Sequence, residues 1–197
     1  MSQNDAKLEH DVTILEAMSG EIDEYLRHEV LFWPLMQGNL PRLTFGGILM
    51  RIHRLTQLKH LLPAEAQIRC ENAIRQFNEA TAQHIVAVEQ RCQQELAVRL
   101  RQWQTSIQEW QANAPSVALY AAGVEVRVMV ASLLEKLRFP PFQLDSQLVE
   151  RVRGLDQALR GRWQSGSFVW PETWQSAYPQ SEYWWLYGLP GGAQSLA

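Results

Sequence analysis

The sequence predicts an all-α protein, because one long segment lacks helix breakers and its apolar residues recur at helical spacing. Residues 64–113 contain no Gly and no Pro, and Pro63 and Pro115 flank them. The apolar positions from Cys70 to Trp110 recur about every 3.6 residues, which is the period of an α-helix. We therefore expect an elongated antiparallel bundle of about five helices. It would have one very long central helix and an aromatic-rich C-terminal extension.

The first two helices are predicted on either side of a short loop. A first stripe of apolar residues runs from Leu8 to Trp33, which predicts a helix over about 7–33, ended by Pro34. Thr44 is a favourable N-cap for a second helix, which must end before Pro63. Because the loop between them is short, we expect the two helices to pack antiparallel.

The third predicted helix covers 64–113 and, if continuous, is about 75 Å long. A kink is most plausible around residues 90–95, where polar residues crowd. Cys70 and Cys92 are separated by roughly 33 Å of helical rise, which is beyond the reach of a disulfide. We interpret them as two small apolar residues of the core.

The segment 117–138 has two readings. Residues 124–130 alternate apolar side chains with Glu125 and Arg127, as a strand does, but the length and the later leucines favour a buried helix. Phe139-Pro140-Pro141 ends it. Asp145 is then a predicted N-cap for a last helix with an apolar stripe.

An aromatic-rich extension follows, with nine aromatic residues within 163–187. We assign 1–163 to a helical domain and 164–197 to an extension too short for a core of its own, packed on the bundle or on a partner. Trp and Tyr are favoured anchors of interfaces. The candidate interaction residues are those of this extension and of the apolar run 30–36: Phe32, Trp33, Trp170, Trp174, Tyr183, Trp184 and Trp185.

Charge is sorted along the first two helices. Residues 1–33 carry eight acids against two basic residues, whereas 34–63 carry four basic residues and no acid. The basic segment suggests either a phosphate or nucleic-acid site, or a helical hairpin with acid facing base, which would place Asp23 near Arg54. We favour the hairpin, and with a net charge of −3 we expect no nucleic-acid partner.

The sequence contains no recognisable reaction motif. None of the five histidines has a Glu three residues before it, and there is no Cys-x-x-Cys or glycine-rich phosphate loop. We therefore predict no catalytic residue, no metal and no cofactor. Glu125 and Arg127 are candidate inward polar groups, because they interrupt an apolar run.

The charges of Glu125 and Arg127 also argue against a membrane span over 117–138. Because the N-terminus lacks a signal pattern as well, we expect a cytoplasmic protein.

The predicted function is a non-catalytic structural or protein-interaction role, with self-association or another protein as partner. One alternative is a ligand-binding bundle with an apolar cavity. A further alternative is an enzyme that uses Glu24, His28 and the basic helix on a phosphorylated or anionic substrate.

Overall fold

The computed structural model of the protein describes residues 3–191, with side chains from residue 6 onward. It is 70% helix and 6% strand, which confirms a predominantly α protein. Its described part contains eight α-helices rather than about five: α1 (Gln3–Gly20), α2 (Ile22–Arg27), α3 (Phe45–Leu58), α4 (Ala64–Gln83), α5 (Ile85–Ala112), α6 (Val117–Gly123), α7 (Glu125–Arg138) and α8 (Ser146–Arg160). Two short strands follow, β1 (Trp163–Phe168) and β2 (Tyr187–Pro190).

The prediction of one very long central helix over 64–113 is wrong, because the chain breaks at His84. That residue has φ −125° and ψ 41°, and its N–H bonds to Thr81 O in a tighter turn than the α-helix makes. The His84 ring lies 2.9 Å from the carboxylate of Asp23 in α2. The expected kink at 90–95 is also wrong, since those residues lie inside the 28-residue helix α5. The break separates α4, which packs on α1, from α5, which packs on α7 and α8.

The predicted first helix over 7–33 is likewise shorter than expected. It is interrupted at Glu21, and α2 ends at Arg27. The Glu21 carboxylate accepts hydrogen bonds from Trp33 Nε1 at 2.8 Å and from Met36 N at 2.9 Å. The apolar run 30–36 is therefore a loop that two hydrogen bonds attach to Glu21, at the junction of α1 and α2.

The acidic first segment does face the basic one, but in a different register. Asp11 in α1 lies beside Arg51 and Arg54 of α3, and Met18 approaches Gly47, so α1 and α3 run antiparallel. The predicted pairing of Asp23 with Arg54 is wrong, because Asp23 contacts Arg27 and His84 instead. The loop 28–44 is longer than the predicted turn. Arg54 of α3 therefore lies beside Asp11, nearer the start of α1, and not beside Asp23.

Several local predictions are confirmed. Thr44 caps α3 by accepting from Gly47 N at 3.0 Å, and Asp145 caps α8 by accepting from Gln147 N at 2.8 Å. The segment 117–138 is helical, divided into α6 and α7 at Val124. By length and composition it is apolar enough to cross a membrane, although here α7 packs against α3 and α5. The absence of a membrane span stays a prediction.

The extension contains a pair of strands that the sequence did not predict. β1 and β2 are antiparallel, with Trp163 opposite Pro190 and Ser165 opposite Gly188. Gly188 has φ +149°, and a Cβ there would lie 2.1 Å from Gln164 O, so no other residue fits this position. Short 3-10 turns cover 172–177 and 184–186. The end of the extension, 192–197, lies outside the described residues.

Both cysteines are buried and free, and their burial gives a testable chemical property. Desolvation raises the pKa of Cys70 and of Cys92, which lowers the fraction of reactive thiolate near pH 8. We expect a thiol-titrating disulfide reagent to react slowly with the native protein. It should detect two thiols per chain at once in denaturant without reductant. A Cys70–Cys92 bridge in the purified protein would contradict this prediction.

Gly46 marks the closest approach of α3 to its neighbours. A Cβ at Gly46 would lie 2.8 Å from Glu95 Oε1 and 3.0 Å from Met129 Cβ. Gly46→Ala should therefore destabilise the protein by about 1–3 kcal/mol through overpacking. Gly154→Ala is the matched control, because its Cβ would enter open space inside α8, and it should stabilise by about 0.5–1 kcal/mol. Urea denaturation of both variants measures the change in the free energy of unfolding, which should be a loss for Gly46→Ala and a gain for Gly154→Ala. Equal changes in the two variants would contradict the close approach at Gly46.

Candidate binding groove

An open groove of about 930 Å³ lies between α3, α7 and the extension. Its volume lies in the range of small-molecule sites in proteins. The apolar part of the lining consists of Leu49, Ile52, Ala131, Leu134, Phe139, Pro140, Phe142 and the ring of Tyr183. The polar part consists of His53, Arg127, Ser132, Glu135, Lys136, Arg138 and Glu182.

Helix α7 supplies one wall because its two faces differ. Val130, Leu133 and Leu137 are completely buried, at the three- and four-residue spacing of a core face. Arg127, Ala131, Leu134 and Arg138 follow the same spacing on the face that lines the groove. The linker after α7 then brings Phe139 and Phe142 to the end of that face.

Arg127 is the one buried cation of this lining, with only 5% of its surface exposed. Its Nε and Nη2 donate to the two carboxylate oxygens of Asp156 in α8, at 2.8 and 2.7 Å. The guanidinium carbon lies 3.8 Å from the ring centre of Trp185, so the cation also stacks on the extension. Two segments distant in sequence, α8 and the extension, thus hold this side chain in place.

The hydrogen bonding of Arg127 is nevertheless incomplete. Nη1 is buried and has no acceptor among the described residues. A buried polar group without a partner costs about 1–3 kcal/mol, and such groups are rare in native proteins. A residue that lines the groove therefore carries a donor that the described fold does not satisfy.

His53 and Tyr183 form the opposite side of the groove. His53 Nε2 lies 2.8 Å from Ala177 O, so this nitrogen carries the proton and donates to the carbonyl. The two rings are 5.7 Å apart. Burial raises the pKa of Tyr183 to about 12, so its hydroxyl stays protonated at neutral pH.

A second cluster beside the groove attaches the extension to α3. Arg54 is only 3% exposed and donates to Asp11 Oδ2 at 2.6 Å and to the Tyr178 hydroxyl at 3.1 Å. Its guanidinium lies 3.7 Å from the ring centre of Trp174. Arg51 completes an ion cluster with Asp11 at 3.3 Å. Because each charge in it lies within ion-pair distance of an opposite charge, we interpret this cluster as structural, although Arg51 Nε makes no hydrogen bond among the described residues.

The candidate interaction residues of the extension lie against the bundle. Trp174 and Trp185 stack on Arg54 and Arg127, and Trp170 Nε1 donates to Ala121 O at 2.8 Å. Trp184 lies over Arg160 at 4.1 Å. Only Tyr183 lines the groove.

Phe32 and Trp33 lie in the loop 28–44 and do not line the groove. Phe32 is 5.2 Å from the Arg99 guanidinium, whereas Trp33 is tied to Glu21. Of the two candidate inward groups, Arg127 is buried and Glu125 is partly exposed in the first turn of α7.

The residues of the enzyme alternative lie in two separate places, at the surface of α2 and within the core. Glu24 and His28 are 3.9 Å apart, and more than half of each side chain is exposed. Arg51 and Arg54 point into the core and are paired with Asp11. Within residues 3–191, no group of three or more His, Cys, Asp or Glu side chains is placed to hold a metal ion.

Comparison with known proteins assigns no function to this geometry. No protein family, no curated protein and no solved structure matches the chain. Function must therefore be inferred from the groove itself.

Sequence reasoning identified Arg127 but missed the residues around it. Asp156 and His53 gave no local signal, because each sits among ordinary polar residues of a helix. A signal did exist for Arg51, which lies three residues after Ile48 and four before Leu55. That spacing places it on the apolar face of α3, where only a paired charge is tolerated.

Proposed function

We propose that this chain is a non-catalytic binding protein that holds an apolar ligand in the groove between α3, α7 and the extension. The observation that carries the proposal is the buried, incompletely paired Arg127 in a concave lining in which eight of the fifteen residues are apolar or aromatic. A large pocket with a few fixed polar groups is the usual form of a small-molecule site. The partly exposed aromatic rim, with Phe139 more than half exposed, provides apolar contact area for an occupant.

A fluorescent apolar probe tests this function. Uncharged N-phenyl-1-naphthylamine should bind the native protein saturably, with a blue shift and increased emission. Ala131→Trp should abolish this binding, because the indole fills the groove from α7. Val86→Trp is the matched control, since Val86 is an exposed residue of α5 outside the groove. Absence of saturable binding, or equal loss in both variants, would overturn the proposal.

A second candidate is the self-associating interaction protein, for which the loop 28–44 is the supporting feature. Met36 is 91% exposed, although the hydrogen bond from its own backbone N–H to Glu21 fixes the loop beside it. Val30 of the same loop is 48% exposed, and a contiguous patch of exposed apolar side chains is typical of an interface with another chain. We retain the elongated antiparallel form of the bundle itself and a cytoplasmic location as part of this candidate.

Native mass spectrometry of the protein tests self-association. We expect a dimer or higher species that Met36→Asp shifts towards the monomer, whereas Ile68→Asp, at an exposed apolar position of α4 outside this loop, should not. A monomer at all concentrations would exclude this candidate and leave the groove proposal intact.

A further inference from the structure

The chemistry of the groove is specific enough to indicate the class of ligand. A guanidinium is planar and holds its five N–H donors in a fixed fork. Because Nε and Nη2 of Arg127 both face Asp156, the two N–H groups of Nη1 point away from that edge. They are donors only, so the missing partner must be a hydrogen-bond acceptor.

The unpaired N–H donors of the lining favour a charged acceptor, although the cations and carboxylates around it balance. The three cations, Arg127, Lys136 and Arg138, are matched by Glu135 and Glu182 in the lining and by Asp156 beside Arg127. Arg138 pairs with Glu135 at 3.4 Å, but in the described part of the chain no carboxylate lies within ion-pair distance of Lys136. A carboxylate offers about four lone-pair sites and forms shorter, stronger hydrogen bonds to a guanidinium than a neutral oxygen does.

The remaining lining requires an apolar body on the same molecule. Leu134, Phe139 and Phe142 contribute apolar side chains around the polar groups. A groove of about 930 Å³ is much larger than an inorganic anion needs. A free ion would therefore leave most of this apolar surface in contact with water.

We propose that the groove binds small amphipathic carboxylates. The ligand carboxylate accepts hydrogen bonds from Arg127 Nη1, and its apolar body lies against Leu134, Phe139 and Phe142. This inference rests on the proposed function, in which the groove is a ligand site, and adds the identity of the recognised group. Asp156 already balances the charge of Arg127, so a neutral carbonyl ligand is the alternative that the experiment must separate.

Two probes of the same shape make that separation. Binding of 5-phenylpentanoate and of 5-phenylpentanamide to the full-length protein is measured by isothermal titration calorimetry. The acid should bind about tenfold more tightly than the amide, because its hydrogen bond to Arg127 is charge-assisted. Equal affinities, or tighter binding of the amide, would overturn the inference. If the naphthylamine probe still binds in that case, the groove remains a ligand site and only the preference for a carboxylate is wrong.

A matched pair of variants at Ala131 locates the contact. Ala131 lies one helical turn after Arg127, so a carboxylate at this position can reach the guanidinium. Ala131→Glu should remove the preference for the acid, because an internal carboxylate occupies Nη1. Ala131→Gln adds the same volume without the charge and should keep most of the preference. The same preference in both variants would contradict a contact at Arg127.

The double variant Arg127→Gln/Asp156→Asn removes the cation and its partner together, so that neither charge is left buried alone. It should bind the acid and the amide equally. Retention of the tenfold preference would assign recognition to Lys136 or Arg138 and overturn the role of Arg127. If this variant does not fold, the Ala131 pair alone decides the question.

Discussion

Replacing Arg54 by Met should destabilise the protein by about 3–5 kcal/mol, the largest effect that we expect from one exchange of a charged residue. Arg54 is almost completely buried between Asp11, Tyr178 and Trp174. Methionine fills part of the volume but leaves the carboxylate of Asp11 with only Arg51 as a partner. Breaking a buried ion pair from one side costs this much because a desolvated charge remains.

Urea denaturation followed by tryptophan fluorescence measures this effect and also reports on the extension. Because Trp174 stacks on Arg54, the emission of the folded variant should shift to longer wavelength. Arg75→Met is the control, since its pair with Glu79 is exposed at both ends and contributes little. The double variant Asp11→Leu/Arg54→Met should recover part of the loss. Similar stability of the Arg54 and Arg75 variants would contradict the buried cluster.

The second large effect is expected at Glu95, which is completely buried in α5. Its carboxylate accepts from Gly46 N at 3.0 Å and from Arg99 Nε at 3.1 Å. Glu95→Ala removes both acceptors and leaves the Gly46 N–H of α3 without a partner in the core. We expect the free energy of unfolding to fall by about 3–5 kcal/mol, because Arg99 loses its carboxylate partner and Gly46 N–H loses its acceptor.

Two further variants separate the contribution of the charge of Glu95 to stability from the contribution of its hydrogen bonds. Glu95→Gln keeps an oxygen that can accept from Gly46 and should lose less stability than Glu95→Ala. Glu79→Ala removes an exposed carboxylate of α4 and should leave the denaturation midpoint nearly unchanged. If Glu95→Gln were as unstable as Glu95→Ala, the hydrogen bond to Gly46 would not explain the effect.

Features with a local physical cause could be predicted from the sequence. The caps at Thr44 and Asp145 depend on a side chain two or three residues from its partner, so the pattern suffices. The helix over 117–138 follows from its length and its later leucines. Arg127 was found because a charge within an apolar run must either be paired or leave the core.

Features that depend on distant partners could not be predicted. His84 is not a helix breaker by itself, and the chain turns there where its ring meets Asp23, far away in the sequence. The strand pair needs Gly188 opposite Ser165, a match that neither segment reveals alone. The groove combines α3, α7, the linker after α7 and two residues of the extension, so its lining exists only after tertiary packing.

The contacts between α3 and the extension also bear on how the protein is made. His53 and Arg54 bond to Ala177 and Tyr178, 124 residues later in each case. At synthesis rates of about 5–20 residues per second, the nascent chain carries Arg54 for on the order of ten seconds before Tyr178 is polymerised. During that interval Asp11 is already present, but the aromatic cover over the guanidinium is not. Chains that stop before residue 170 would leave the ribosome with this charged cluster uncovered and would be preferred substrates for cellular proteases.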